Sequence, residues 1–142
     1  AGLDDDIEKL KYKVENGVDF LVTQMFFDNS IMYNYMYRLL AHGIRVPVVP
    51  GIMPVTNAKQ ITRICRLSGT KLPLRFRAIV EKFADDPEAM KQAGINYATT
   101  QALDLLANGF KDVHIYTMNK PEVIGGMLQN LSHIVRHGKV SS

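Results

Sequence analysis

One cysteine and no tryptophan stand among 142 residues. A lone thiol, Cys65, excludes an internal disulfide and a cysteine-rich metal site. The four histidines show no ligand spacing either, so no metal site is expected. No apolar run reaches the roughly 20 residues of a membrane-spanning helix, and no membrane partner is expected. The net charge of +3 is small, and the lysines are interleaved with acids. That argues against a nucleic-acid partner, which calls for a basic stripe or face. A glycine-rich phosphate loop, a serine or cysteine nucleophile motif and a paired-carboxylate site are also missing. The acidic start AGLDDDIEKLK does not read as a signal peptide, and with the single cysteine it favours a cytoplasmic setting. The chain begins without Met and almost directly on a helix, so a fragment or a trimmed domain is expected.

What remains is ordinary globular composition, 46% hydrophobic and 22% charged, enough for one core. Leu3, Ile7, Leu10 and Val14 recur at helical spacing, which predicts a helix over Asp4–Glu15 stopped at Gly17. Phe20–Thr23 is a short continuous apolar run, expected to be a buried parallel strand. Asp28 or Asn29 can cap a helix over Ser30–Ala41, with Ile31, Met32, Tyr35, Met36, Leu39 and Leu40 inward. A second strand is predicted over Val46–Val49, ending in Pro50-Gly51. Thr56 or Asn57 starts a helix carrying Ile61, Ile64 and Cys65 and ending at Gly69. Pro73 opens another, with Phe76, Ile79, Val80 and Phe83 on one face. Asp86-Pro87 begins a long helix that runs to Gly109. Gly94 inside it costs roughly 1 kcal/mol against Ala, which points to a close contact there. A third strand is expected over Val113–Tyr116. A last helix opens at Pro121, and residues 136–142 read as a flexible tail.

Strands separated by helices imply a parallel sheet. The fold class is α/β, with about three parallel strands and flanking helices. Three are few for a doubly wound fold but suit a portion of a (βα)8 barrel, which takes about 250 residues. In both architectures ligands sit beyond the carboxyl ends of the strands. Those ends hold Thr23-Gln24, the segment Pro50–Val55 and the segment Tyr116–Asn119. The Gln24 amide is either a turn cap or a reader of a heterocycle's donor–acceptor edge. Gln60, one turn into its helix, either reaches back over a strand end or is solvated. Lys120 sits at a helix start, where a cation opposes the macrodipole; it is a surface residue or a partner for an anion. Lys9, Lys11, Lys13 and Tyr12 form a solvated face or meet a phosphate or adenine. His114 reads as a core histidine.

Three stretches go further when taken in order: Asp6 to Asp28 with its TQxFFD, the VPGIMPVTNAKQ of residues 49–60, and the GFKDVHIYTMNK of residues 109–120. Together they resemble the methylenetetrahydrofolate reductase family, and the likeness runs from about residue 3 to residue 135. It implies a (βα)8 barrel that carries FAD and reduces 5,10-methylenetetrahydrofolate to 5-methyltetrahydrofolate with NAD(P)H, in one-carbon and methionine metabolism. On that likeness residues 1–142 are the carboxyl-terminal segment of the barrel. The family's acid glutamate lies upstream, so no catalytic residue falls in this segment and the chain alone is expected to be inactive. The resemblance assigns Gln24, Gln60, Tyr116, Lys120 and Ile64 to the substrate pocket, where Phe26 and Phe27 would be walls. Lys120 replaces an arginine common in bacterial members, and Ile64 replaces a Phe of some members. Asp6 and Lys13 match FAD contacts, and Lys9 and Tyr12 occupy two more such positions with different residue types. A half barrel with open edges is expected either to meet its missing amino-terminal half or to form a homo-oligomer. The alternative function is a self-associating binding module without catalysis.

Overall fold

The computed structural model of the chain describes residues 3–68, 72–117, 120–136 and 138–141. In order these form α1 (Leu3–Glu15), β1 (Leu21–Met25), α2 (Asn29–Ala41), β2 (Val48–Ile52), α3 (Ala58–Ser68), α4 (Leu74–Phe83), α5 (Pro87–Ala107), β3 (Asp112–Ile115), α6 (Pro121–Asn130), a 3-10 turn at Ile134–Arg136, and β4 (Lys139–Ser141). The predicted helix starts rest on capping chemistry. Asp28 accepts from the Ser30 amide, Asn57 from the Lys59 amide and Asp86 from the Ala89 amide, each satisfying an orphan donor of a first turn. The expected stop of α3 at Gly69 lies outside the described residues.

All four strands are parallel, in the order β1-β2-β3-β4. This is an α/β fold consistent with part of a (βα)8 barrel. Alternate residues Val48 and Ile52, and Val113 and Ile115, turn to the helices. There they meet Ile7, Met32, Leu39, Ala102, Leu105 and Met127 in the main core. A second core, at the carboxyl ends of the strands, joins Phe27, Met53, Val55, Ile61, Phe76 and Met90.

β1 is not buried on both faces: Phe20 is 57% and Val22 45% exposed, because nothing covers that side of the sheet among the described residues. On α2 only Met32 and Leu39 are buried, whereas Ile31 and Leu40 are exposed; six apolar residues span more arc than the core contact takes up. β2 starts later than Val46 and runs through Pro50-Gly51 rather than ending there. Proline lacks a ladder donor, and the β1–β2 register shifts between Val22 and Met25, opposite this point. The tail is not uniformly frayed. Lys139–Ser141 pair in parallel with β3, Val140 beside Val113, so the sheet has four strands rather than three.

Candidate strand-end site

Thr23 organises the carboxyl end of the sheet. Its hydroxyl accepts from the Gly51 amide at 2.9 Å and donates to the Gln24 carbonyl at 3.0 Å. Its own carbonyl accepts from the Tyr116 hydroxyl at 2.9 Å. The Tyr116 amide in turn donates to the Ile52 carbonyl at 2.9 Å. Residues from β1, β2 and the end of β3 are thereby fastened together across 93 positions of sequence. Gly51 is required at the centre of this knot. A Cβ there would stand 2.5 Å from the Tyr116 ring and 2.6 Å from the Thr23 carbonyl. The close approach anticipated at Gly51 is therefore made by the protein's own ring and backbone.

Gln24 lies beside this knot with its side chain exposed and without a hydrogen-bond partner among the described residues. It shares the exposed face of β1 with Phe20 and Val22. His114 is half-buried rather than a core histidine. It pairs with Gly51 in the ladder and meets the Tyr116 ring edge-on at 4.7 Å. Gln60 is half-buried in the first turn of α3. Lys120 is half-buried at the N-cap of α6, which has no side-chain cap. Ile64, 9% exposed, belongs to the second core. Met118-Asn119 of the third strand end lie outside the described residues.

The structure thus joins Tyr116 to the end of β1, while Gln24, Gln60 and Lys120 have no hydrogen bond to one another among the described residues. Phe26 and Phe27 are not pocket walls. They are 5% and 1% exposed and belong to the two different cores, Phe27 lying 5.2 Å from the Phe76 ring. On α1, Asp6, Lys9, Tyr12 and Lys13 are all exposed, and none has a side-chain partner among the described residues. Asp6, Lys9 and Lys13 follow one stripe of the helix at spacings of three and four.

Sequence reasoning missed a polar network behind the sheet. The Asp104 carboxylate accepts from the Tyr33 hydroxyl at 2.7 Å and from Asn29 Nδ2 at 2.8 Å, and Gln101 Nε2 donates to the Phe26 carbonyl at 3.1 Å. Burial first, and then the hydrogen bond to Asp104, push the Tyr33 hydroxyl up to about 12. The available signal was a glutamine and an acid at positions 101 and 104, on the apolar face of a long helix. Among the described residues no group of three or more histidine, cysteine or acidic side chains is placed to hold a metal, and no helix is long and apolar enough to cross a membrane.

A parallel sheet whose strands are joined by helices is the α/β class of fold, in which ligands sit beyond the carboxyl ends of the strands. The sequence model of the methylenetetrahydrofolate reductase family matches residues 1–132, and the chain belongs to that family. It is 38% identical over 136 residues to methylenetetrahydrofolate reductase (NADH) 1 of Arabidopsis thaliana, a match covering 96% of this chain and 23% of that protein. It is 33% identical to methylenetetrahydrofolate reductase 1 of Schizosaccharomyces pombe, over 91% of this chain and 21% of that one. With the 5,10-methylenetetrahydrofolate reductase of Escherichia coli it shares 34% identity, over 83% of this chain and 40% of that protein. The chain therefore spans about a fifth to two fifths of the length of these relatives.

Proposed function

We propose that this chain is the carboxyl-terminal part of a flavin-dependent barrel that reduces methylenetetrahydrofolate with NAD(P)H, and that it supplies one wall of the substrate pocket. The observation that carries the reading is the setting of Gln24. Its backbone is pinned through the Thr23 hydroxyl, while its amide is left free and exposed at a strand end. A fixed backbone with an unspent amide is what reading the donor–acceptor edge of a planar ring requires. Tyr116 stands beside it, held by its hydroxyl on the Thr23 carbonyl. Lys120 adds positive charge at an α6 N-terminus that no side chain caps, which suits an anionic part of the substrate. Gln60 would approach the same strand ends from α3, and Ile64 would support it from below.

FAD fits the residues on α1. Lys9 and Lys13 carry no acidic partner among the described residues, so their ammonium groups are free for phosphate oxygens, and Asp6 and Tyr12 offer an acceptor and a ring to an adenosine. The flavin, when bound, supplies the hydride chemistry. The chain's residues bind and orient the rings. No side chain in this segment is assigned as the acid that opens the folate bridge, so the chain alone is inactive in this reading. The exposed Phe20 and Val22 edge of β1 is covered either by the upstream strands or by another copy.

In a reductase containing this segment, Gln24→Leu should lower kcat/KM for the folate at least tenfold. The denaturation midpoint should not move, because the amide has no partner in the fold. An unchanged kcat/KM would remove Gln24 from the site.

A further inference from the structure

A cavity of about 860 Å³ lies among α2, α4 and α5, and none of Gln24, Gln60, Tyr116 or Lys120 lines it. Its volume falls within the roughly 300–1,000 Å³ typical of small-molecule sites. The half-buried Phe83 and Tyr97 bring aromatic rings to it. Its polarity is uneven from end to end.

At one end Asp104 is held by neutral donors alone: Tyr33 and Asn29 on Oδ2, and Asn108 Nδ2 on Oδ1 at 3.1 Å. No lysine, arginine or histidine pairs with it among the described residues. Next to it Gln101, 5% exposed, spends its Nε2 on the Phe26 carbonyl and on Asn29 Oδ1 at 3.2 Å. That leaves Gln101 Oε1 buried with no donor. An unsatisfied buried acceptor is costly, and near it lies a carboxylate that no basic side chain pairs with among the described residues. The carboxylate calls for a cationic donor. At the other end Arg75 and Asp28, of opposite charge, both line the cavity. Tyr97 and Asp104 are seven residues apart on α5, or about 10 Å along its axis.

We propose that this cavity binds a small organic ammonium ion, with its charged head at Asp104 beside Gln101 and its apolar body lying along α5 towards Tyr97. The site is separate from the strand-end pocket and does not depend on the function proposed for it. Its aromatic rings give the apolar body a surface to pack on, and the fixed Asp104 carboxylate needs no reorganisation to receive the head group.

The test titrates the full chain with 2-phenylethylamine at pH 7 and follows the amide resonances of residues 29, 33, 101 and 104. The isosteric neutral 2-phenylethanol and the anionic 3-phenylpropionate serve as comparisons. The amine should bind at least ten times more tightly than the alcohol, and the acid should not bind. Asp104→Asn should abolish the preference. Tyr33→Phe, which frees a lone pair on the carboxylate, should keep or increase it, whereas a purely structural role for the network predicts loss in both variants. Equal affinity for amine and alcohol, shifts that map elsewhere, or no shift at millimolar amine would overturn the proposal on the unaltered chain alone.

Discussion

Gly94 shows how one residue can be constrained by a contact far along the chain. Its own backbone is helical, and its cost inside α5 points from the sequence to a close contact without naming the partner. A Cβ at this position would lie 1.7 Å from the Val55 carbonyl oxygen, and that neighbour is backbone in a fully buried loop, so it has no room to move. Gly94→Ala should therefore destabilise the fold by roughly 3 kcal/mol or more, beyond the usual overpacking range, despite alanine's better helix propensity. A denaturant midpoint that rises would contradict this packing. Tyr33 gives a second test at this scale. Its hydroxyl is raised to about 12 in the fold, against about 10 in an unfolded chain. Below pH 10 both states keep the proton and the contribution is whole. Between 10 and 12 the unfolded chain releases the proton first, so stability falls as pH rises. Burial pushes Tyr35 and Tyr97 in the same direction. Unfolding free energies measured across pH 9–12 should decline, and Tyr33→Phe should shallow the slope. Gly94 was legible because glycine inside a helix has few other uses. The Tyr33–Asp104 bond was not, since it joins residues 71 apart and nothing local marks either as a partner.

The elements were readable where capping chemistry or helical periodicity is strong. Asp86 before Pro87 announces α5, and the structure has its Oδ1 accepting from the Ala89 amide at 3.2 Å. Asp86→Ala should cost about 1 kcal/mol, seen as a lower thermal midpoint, with Asp86→Asn restoring most of it. No change on Asp86→Ala would mean that the packing of α5 alone fixes its start. The strands were harder to read. An apolar run such as Phe20–Thr23 shows that a strand can be buried, but not whether anything covers it. The exposure of Phe20 and Val22 depends on what lies across the sheet, which no local pattern records. β4 was missed for a related reason. Three residues carry too little pattern, and Val140 becomes a strand residue only because β3 offers it an edge.

For the whole molecule, a four-stranded parallel sheet covered by helices on one side, with exposed apolar groups on the strand bearing Gln24, describes part of a barrel better than a closed domain. The family match over residues 1–132 and the fifth to two fifths of the relatives' length spanned here support the same reading. The strand-end residues were legible from the sequence as candidates because their position follows from topology, and the proposed role of each comes from the family resemblance. How Thr23 fastens Gln24 and Tyr116 required the folded chain, because each bond runs from a side-chain hydroxyl to a backbone carbonyl that carries no sequence signal.

The proposal that the segment is part of a flavin barrel and presents a substrate wall stands or falls on the absorption spectrum of the purified chain, taken together with its mass in solution. No flavin band near stoichiometry is expected, and a particle larger than the 16.0 kDa of one chain, because the exposed edge of β1 seeks a partner. A monodisperse 16.0 kDa species holding one flavin per chain would contradict it.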